Sequence, residues 1–379
     1  MTAFLRSERH SSAILLACAV LGLVLANTAF GPALIGLRDT HLAIGPLGLD
    51  LSVGHWISDL LLAIFFFIVA TELKTELTHG ELSSVRKALV PVIAAVGGVV
   101  VPALIYLALT YLAPGGGGDA ARGWPIPTAT DIAFAVGVIA VFGRHLPTRM
   151  RVFLLALAVI DDLIGIVIIA TVFARDIQPL LLIAAVVSLA AFAIVSRVIH
   201  RRSVLVPLAV ALALLTWYLV AQSGVHPTIA GVALGLVLHR SVGEAAAHAL
   251  TPLSNGLVLP LFAFTAALVA IPESGAIGPV FLGLAVALPV GKAIGITLGG
   301  LIGARVARSH TSNPIVGWDL FALAVTGGLG FTVALLVNQL AFDGLPQLTD
   351  EGVLGVLTGS GISLVAGASL ISWRSRVHR

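Results

Sequence analysis

Long apolar segments, separated by short stretches rich in glycine, proline and charge, make up almost the whole chain. Most of the segments reach the ~20 residues that a helix needs to cross a bilayer. The pattern predicts twelve membrane-spanning helices, at 11–30, 57–78, 88–112, 119–143, 148–174, 179–199, 204–221, 224–239, 246–271, 276–305, 318–342 and 350–374. The first segment is too long for a signal peptide and has no clear cleavage site after it, so it is counted as a helix.

Two of these segments contain residues that interrupt a helix. Residues 123–134, GWPIPTATDIAF, bring two prolines next to Thr128, Thr130 and Asp131, and residues 326–332, TGGLGFT, place three glycines in an apolar stretch. In lipid, the unpaired N–H and C=O groups of a break are tolerated only where protein or a water-filled cavity satisfies them. Two such breaks indicate an inverted-repeat transporter with its site where the breaks cross. The alternative is two kinks that serve packing.

Residues 38–55, RDTHLAIGPLGLDLSVGH, have a different pattern from the rest of the chain. Apolar residues alternate on both sides of a GPLG turn, which predicts a β-hairpin outside the membrane. A lone two-stranded hairpin is marginally stable in water. Pairing with a second copy at the membrane surface would stabilise it, so a homodimer is expected. An irregular loop is the alternative.

Composition and charge placement agree with a membrane protein. Of the 379 residues, 58% are hydrophobic and 10% are charged, whereas soluble domains carry about 25% charged residues. The net charge of +3 is too small to indicate a nucleic-acid partner. Cytoplasmic loops collect lysine and arginine, and all 21 such residues fall on one side except Arg38, Arg122, Arg175 and the intramembrane Lys292. Both termini are therefore predicted to be cytoplasmic.

Four charged residues lie deep inside apolar segments: Asp131, Asp161, Asp162 and Lys292. Each costs roughly 2.5–3.5 kcal/mol on the insertion scale. Neighbouring helical residues differ by about 100° and 1.5 Å, so Asp161 and Asp162 can border one cavity. Two close carboxylates cannot easily be ionised together, which suits a proton carrier. Because small hard cations prefer the same oxygens, a proton and a cation would compete for this pair, which predicts antiport.

Lys292 and Asp131 have predicted roles as counter-charges. A buried ammonium needs a partner, and Asp161 or Asp162 is the natural one for Lys292. Where two broken helices cross, like ends of the helix dipoles face each other. Asp131 would then compensate the positive ends and Lys292 the negative ends. The alternative for all four charges is a purely stabilising cluster, although apolar residues would stabilise as well.

Six motifs in this order resemble the NhaA family of bacterial sodium/proton antiporters: TATDIAFAVGV, VIDDLIGI, SGVHPTIAGVALG, LPLFAF, GKAIGI and GLGFTVALL. The resemblance runs from the first span to the last. It implies an all-α polytopic fold with twelve helices, inverted repeats and two interrupted crossing helices, plus the hairpin. It also implies a core bundle at about 88–174 and 276–374 and an interface bundle at about 11–78 and 179–271.

The resemblance also implies residue roles. Asp161 and Asp162 match the ion-binding pair, with Asp162 the primary ligand for Na⁺ and H⁺. Thr130 and Asp131 match the interrupted fourth helix, and Lys292 matches a lysine that pairs with the aspartate at Asp161. The hairpin matches the dimerisation element of the family. No cofactor is expected beyond the transported ions.

Residues linked to pH activation depart from the family pattern. The family usually carries a basic residue between two glutamates at the end of the second span, whereas this chain has Thr75 between Glu72 and Glu76. Residues 239–252 are interpreted as a short loop, with Ala247 where an acidic residue is expected. His226 could sense pH near neutrality or could simply cap or pack at a helix start.

The predicted function is electrogenic exchange of cytoplasmic Na⁺ or Li⁺ for external H⁺ across the bacterial plasma (inner) membrane, for pH and sodium homeostasis. The partners expected are the bilayer, these ions and a second copy of the chain. A K⁺-selective exchanger or a sodium-coupled symporter of the same fold is an alternative. An intramembrane aspartyl protease using Asp131 and Asp161 is another, but such enzymes usually place one aspartate in a Gly-x-Gly-Asp motif, and the GLGF glycines at 328–331 have no aspartate.

Overall fold

The computed structural model is almost entirely helical. It describes residues 8–79, 85–114, 117–173, 177–199, 201–271, 278–307, 315 and 317–379, with the side chains of Glu76 and Asp162 outside the described part. The helices are α1 (Glu8–Ala26), α2 (Gly31–Asp39), α3 (Leu62–His79), α4 (Val85–Leu112), α5 (Ile132–Phe142), α6 (Thr148–Val172), α7 (Pro179–Val198), α8 (Arg202–Gln222), α9 (Thr228–Val237), α10 (Arg240–Leu253), α11 (Leu259–Ala266), α12 (Pro279–Val286), α13 (Lys292–Val306), α14 (Trp318–Thr326), α15 (Phe331–Ala341) and α16 (Pro346–Val377).

Short helical turns extend or join several of these helices. Val53–His55 and the π-helical Trp56–Leu61 lead into α3, Ser254–Val258 joins α10 to α11, and Ala287–Gly291 joins α12 to α13. Continuous helix therefore runs through each of these junctions. The stretch from Arg240 to Ala266 is one such helix. The interpretation of residues 239–252 as a loop is wrong, because its residues continue the helical hydrogen bonding into the span.

Within the described residues, eight helices are long and apolar enough to cross a membrane. Two bent pairs raise the number to ten: α1 with α2, which meet at 112°, and α14 with α15, which meet at 50°. Two predicted spans remain. The span at 119–143 consists of the interrupted segment followed by α5, and the span at 224–239 contains the ten-residue α9. The polytopic helical fold is confirmed, and the count of twelve spans stays a prediction.

The outer faces of the helices are apolar. Leu104, Val187 and Val206 are each more than half exposed on α4, α7 and α8. In water, so much exposed apolar surface would drive association or aggregation. In a bilayer the lipid tails cover it, which agrees with the long apolar segments of the sequence.

Glycines allow several helices to approach backbone to backbone. A Cβ added at Gly295 of α13 would lie 2.7 Å from the Gly97 carbonyl carbon of α4, and one at Gly299 would lie 2.9 Å from the Cα of Ala94. Gly231 of α9 lies in the same way against Ala63 in α3. Small residues four apart permit this close packing in membranes. It fixes α13, which begins with Lys292, directly on α4.

The predicted hairpin is confirmed. Strands β1 (His41–Ile44) and β2 (Leu49–Ser52) pair antiparallel, with His41 opposite Ser52. The Gly45–Leu47 turn between them ends at Gly48, whose φ of 61° is left-handed and favours glycine. All four residues of β1 are exposed, whereas β2 is partly buried against the helices.

Candidate functional site

The two interrupted segments meet inside the protein. The Asp131 N–H donates to the Leu329 carbonyl at 2.5 Å, and the Thr130 hydroxyl donates to the Gly327 carbonyl at 2.8 Å. Beside them, the rings of Phe134 and Phe331 pack edge to face with centroids 5.5 Å apart. Backbone groups that a continuous helix would satisfy are thus satisfied by the other break, as a protein interior in lipid requires.

Proline chemistry explains why the first break forms where it does. Pro127 cannot donate a helical hydrogen bond, and the chain forms only a short 3₁₀ turn, Ile126–Thr128, before Ala129 becomes extended. Helix α5 then starts after Asp131, whose side chain accepts from the Phe134 N–H at 3.1 Å. Aspartate is a preferred N-cap because its oxygen satisfies a free N–H of the first turn.

Asp131 bonds the starts of both half-helices. Besides capping α5 through Oδ1, its Oδ2 accepts from the Thr332 N–H at 3.0 Å and from the Thr332 hydroxyl at 2.7 Å, in the first turn of α15. A negative charge at two helix N-termini is stabilised by both dipoles. The structure brings Asp131 to the position expected for compensating the positive helix ends.

Lys292 lies on the other side of the crossing and is fully buried. Its ammonium donates to Asp161 Oδ2 at 2.6 Å, to the Thr130 hydroxyl at 2.9 Å and to the Thr128 carbonyl. Of the two partners that the residues alone left open, the described contact is with Asp161, which is also the partner that the resemblance implied. The ammonium bonds the end of the first half-helix through the Thr128 carbonyl, and it also bonds Thr130, whose hydroxyl donates to the Gly327 carbonyl at the end of the second half-helix.

Asp161 is 2% exposed and belongs to α6. Its Oδ2 holds Lys292, while its Oδ1 has no hydrogen-bond partner among the described groups. An unpaired carboxylate oxygen away from water is costly, and buried polar groups are normally satisfied. This oxygen can therefore accept a proton or coordinate a cation without first losing a bond.

Asp162 follows Asp161 in the same helix, but its side chain lies outside the described part of the structure. Helix geometry sets it about 100° around and 1.5 Å along from Asp161. The prediction that Asp162 borders the same site therefore follows from the position of Asp161. An ionised Asp161 and an ionised Lys292 carry no net charge together, so the charge of an added cation must be offset by another negative group.

Two of the residues predicted to respond to pH, Glu72 and Glu76, lie at the end of α3, away from this site. Glu72 is exposed, and the side chain of Glu76 lies outside the described residues. The Thr75 hydroxyl donates to Glu244 of α10 at 3.4 Å, and Glu244 also accepts from Arg240 at 2.7 Å. The sequence pattern places the expected acidic residue at position 247, which is Ala247, whereas the acidic residue beside Thr75 is Glu244. The Arg240–Glu244 spacing of one helical turn was the available signal.

His226 lies beside a buried carboxylate that the sequence did not single out. Its Nε2 is 3.7 Å from Asp59 Oδ1, and its Nδ1 is 2.7 Å from the Thr228 hydroxyl at the start of α9. Asp59 lies in the π-helical turn Trp56–Leu61. Its backbone carbonyl accepts from the Trp217 indole N–H at 2.8 Å. The contact with Asp59 agrees with a role in sensing pH, and the contact with Thr228 agrees with a role at the helix start.

Comparison with known proteins agrees with this geometry. The model of the Na⁺/H⁺ antiporter 1 family matches residues 2–371. The Na⁺/H⁺ antiporter NhaA 2 of Clavibacter michiganensis subsp. michiganensis is 56% identical over 387 residues, which cover 100% of this chain and 93% of that protein. NhaA of Streptomyces avermitilis is 46% identical over 390 residues, with 99% and 82% covered. NhaA of Tropheryma whipplei is 41% identical over 374 residues, with 97% and 94% covered. The chain therefore belongs to the Na⁺/H⁺ antiporter 1 family, whose members are secondary transporters rather than enzymes.

Proposed function

We propose that Asp161 and Asp162 form the shared site for H⁺ and for Na⁺ or Li⁺, in an exchange that moves cytoplasmic Na⁺ outward and external H⁺ inward. The observation that carries this proposal is the buried Lys292–Asp161 pair at the crossing of two broken helices. Such an exchange serves pH and sodium homeostasis and salt tolerance, and it needs no cofactor beyond the ions themselves.

Competition at this site follows from its oxygen atoms. The carboxylate of Asp161, the hydroxyl of Thr130 and the carbonyl of Thr128 now bind the Lys292 ammonium. Carboxylate, hydroxyl and carbonyl oxygens are also the ligands of hard cations. A Na⁺ that reaches the site can first take Asp161 Oδ1, which has no hydrogen-bond partner among the described groups, and then displace Lys292 from Oδ2. A proton on the same carboxylate abolishes its charge and releases the cation.

Two carboxylates side by side support exchange of more than one proton per cation. If two protons enter for each Na⁺ that leaves, one net positive charge moves inward per cycle. The membrane potential then favours the cycle by roughly 2.3 kcal/mol per net charge at 100 mV. The transport is accordingly proposed to be electrogenic, driven by voltage as well as by the proton gradient.

Alternating access is proposed to come from two bundles that rock against each other. The core bundle comprises about 88–174 and 276–374, and the interface bundle about 11–78 and 179–271. Support comes from helix packing, since α4 packs on α13 and α12 on α16, while α3 packs on α9 and α7 on α8. The broken helices and Lys292 then move as parts of the core bundle.

Placement in the cell follows the distribution of basic residues. We place the chain in the bacterial inner membrane with both termini in the cytoplasm, because lysine and arginine collect on that side. The hairpin then lies on the outer surface. Its strand β1 is fully exposed and pairs within the described residues only with β2. An open strand edge is a template for a second copy, so the homodimer is proposed to form through residues 38–55.

The pH response is proposed to involve Glu72, Glu76 and His226. Glu244 is added to this group because it contacts Thr75 across the α3–α10 interface. Charges on these two helices can change how α3 is held against α10 without touching the ion site. His226 is proposed to act through its buried neighbour Asp59 at the start of α3.

The test is Na⁺-dependent proton movement in everted membrane vesicles, with pH, Na⁺, Li⁺ and K⁺ varied. Asp162→Asn is expected to abolish exchange, because a neutral amide can neither bind the proton nor compensate the cation. In the native protein the apparent KM for Na⁺ should rise as pH falls, since protons occupy the same oxygens. Asp50→Asn, which removes an exposed carboxylate in the hairpin, is the matched control and should exchange normally.

Native exchange rates in Asp162→Asn would refute the proposed site. A KM for Na⁺ that does not change with pH would refute competition, even if both aspartates were needed. Exchange of K⁺ at the rate of Na⁺ would assign another ion. Reconstituted liposomes with and without an imposed potential test the charge balance, because an electroneutral exchanger would show the same rate in both.

A further inference from the structure

Thr332 follows the second break in the chain, and its buried hydroxyl bonds Asp131 of the first break. It is 4% exposed and is the second residue of α15. Its hydroxyl donates to Asp131 Oδ2 at 2.7 Å, beside its backbone N–H at 3.0 Å. Hydrogen bonds to a charged oxygen are stronger than neutral ones. The side chain therefore adds a second bond to the charged oxygen, beside the one that any residue except proline could make there through its backbone N–H.

The position of this link matters because of what precedes Asp131 in the chain. Residues 129–131 lie between the Ile126–Thr128 turn and α5 and belong to neither, although the Asp131 carbonyl accepts from the Ala135 N–H of α5 at 2.9 Å. Their neighbours Thr128 and Thr130 provide two of the acceptors of the Lys292 ammonium. A shift of Asp131 is thus passed within three residues to the group that competes with a cation for Asp161.

We propose that Thr332 is a positioning residue for the exchange: its hydroxyl holds Asp131, and through Asp131 it keeps Thr128 and Thr130 in place as acceptors for Lys292. Without that hydroxyl, the first break loosens and the ammonium depends more on Asp161. An incoming cation must then displace a tighter ion pair, so its apparent affinity falls. This inference rests on the proposed function, in which the cation competes with Lys292 for that carboxylate.

Thr332→Val tests this inference because valine keeps the branched shape and the backbone N–H but lacks the hydroxyl. The expected result in everted vesicles is an apparent KM for Na⁺ and Li⁺ raised about tenfold, the effect of one hydrogen bond to a charged group, with a much smaller change in maximal rate. Thr332→Ser keeps the hydroxyl and should restore the native KM. Thr110→Val, which removes a buried hydroxyl that bonds only its own helix, is the matched control.

Two further comparisons keep the inference falsifiable. If Thr332→Val does not reach the membrane in native amounts, Thr332→Ala against Thr332→Ser gives the same contrast. In an Asp131→Asn background, Thr332→Val should raise KM little further, because its effect passes through the Asp131 carboxylate. A native KM in Thr332→Val, an equal defect in Thr332→Ser, or a full additional defect on Asp131→Asn would each overturn it. Failure of the ion site itself appears separately, as native exchange in Asp162→Asn.

Discussion

Replacing Lys292 with alanine removes the ammonium that lies 2.6 Å from Asp161 Oδ2. Asp161 is only 2% exposed in the native structure, so its carboxylate would then be a buried charge without this partner. Removing one partner of a buried ion pair costs about 3–5 kcal/mol, because the remaining charge is desolvated and uncompensated. At roughly 2 °C per kcal/mol for a chain of this size, the melting temperature should fall by roughly 6–10 °C. Thermal unfolding of the purified protein in detergent, followed by tryptophan fluorescence, measures this directly.

The double variant Asp161→Asn with Lys292→Ala separates the charge effect from lost packing. With both charges gone, most of the lost stability should return, because neutral replacement of a buried pair is often close to neutral in free energy. The deficit of Lys292→Ala alone should narrow as pH falls, since a protonated Asp161 carries no charge. Arg376→Gln removes an exposed cation and is the control. A native melting temperature in Lys292→Ala, or a double variant no more stable than the single one, would refute the reasoning.

Three further predictions concern the rest of the fold. Asp319→Asn weakens the 2.7 Å bond from Arg374 to the start of α14 and should cost about 1–2 kcal/mol in the same melting assay; an unchanged melting temperature would contradict it. Gly295→Leu forces a side chain into the backbone of α4 and should prevent accumulation of folded protein in membranes, whereas Gly36→Leu, where no atom lies within 4 Å of an added Cβ, should accumulate normally. Deleting residues 42–53 should preserve exchange but lower the dimer fraction in detergent, and an unaltered fraction would assign the hairpin another role.

Local features of the structure were readable from the sequence because their causes are local. Two prolines next to Asp131 interrupt a helix wherever the segment is placed. The alternation around Gly48 predicts a hairpin, and strands form at 41–44 and 49–52. Gly295 and Gly299 are four apart in the sequence, a spacing that permits close helix packing, and α13 packs on α4 there.

Contacts between distant segments were not readable in this way. Asp59 stands near the start of the predicted span 57–78, yet it is buried beside His226 because the π-helical turn and α3 both contact α9. Glu244 reaches Thr75 across 169 positions of sequence. Nothing in the sequence around Thr332 indicates a contact with Asp131, which forms because α15 packs against the first break. In each case the missing information was which helix faces which, and hydrophobic patterning does not carry it.

From the sequence alone it follows that this chain spans the membrane many times, that two spans are interrupted and that four charges lie inside apolar segments at a high cost in free energy. Those conclusions follow from transfer free energies and backbone chemistry, which act on each segment separately. The residues alone left Asp161 and Asp162 open as partners of Lys292, and the tertiary structure shows the bond to Asp161, 131 positions away. It also shows that Asp131 accepts hydrogen bonds from the first turns of both half-helices through Phe134 and Thr332. The reason is physical: a charge inside a membrane is costly wherever it lies, but the partner that offsets this cost depends on distances that only the packed fold sets.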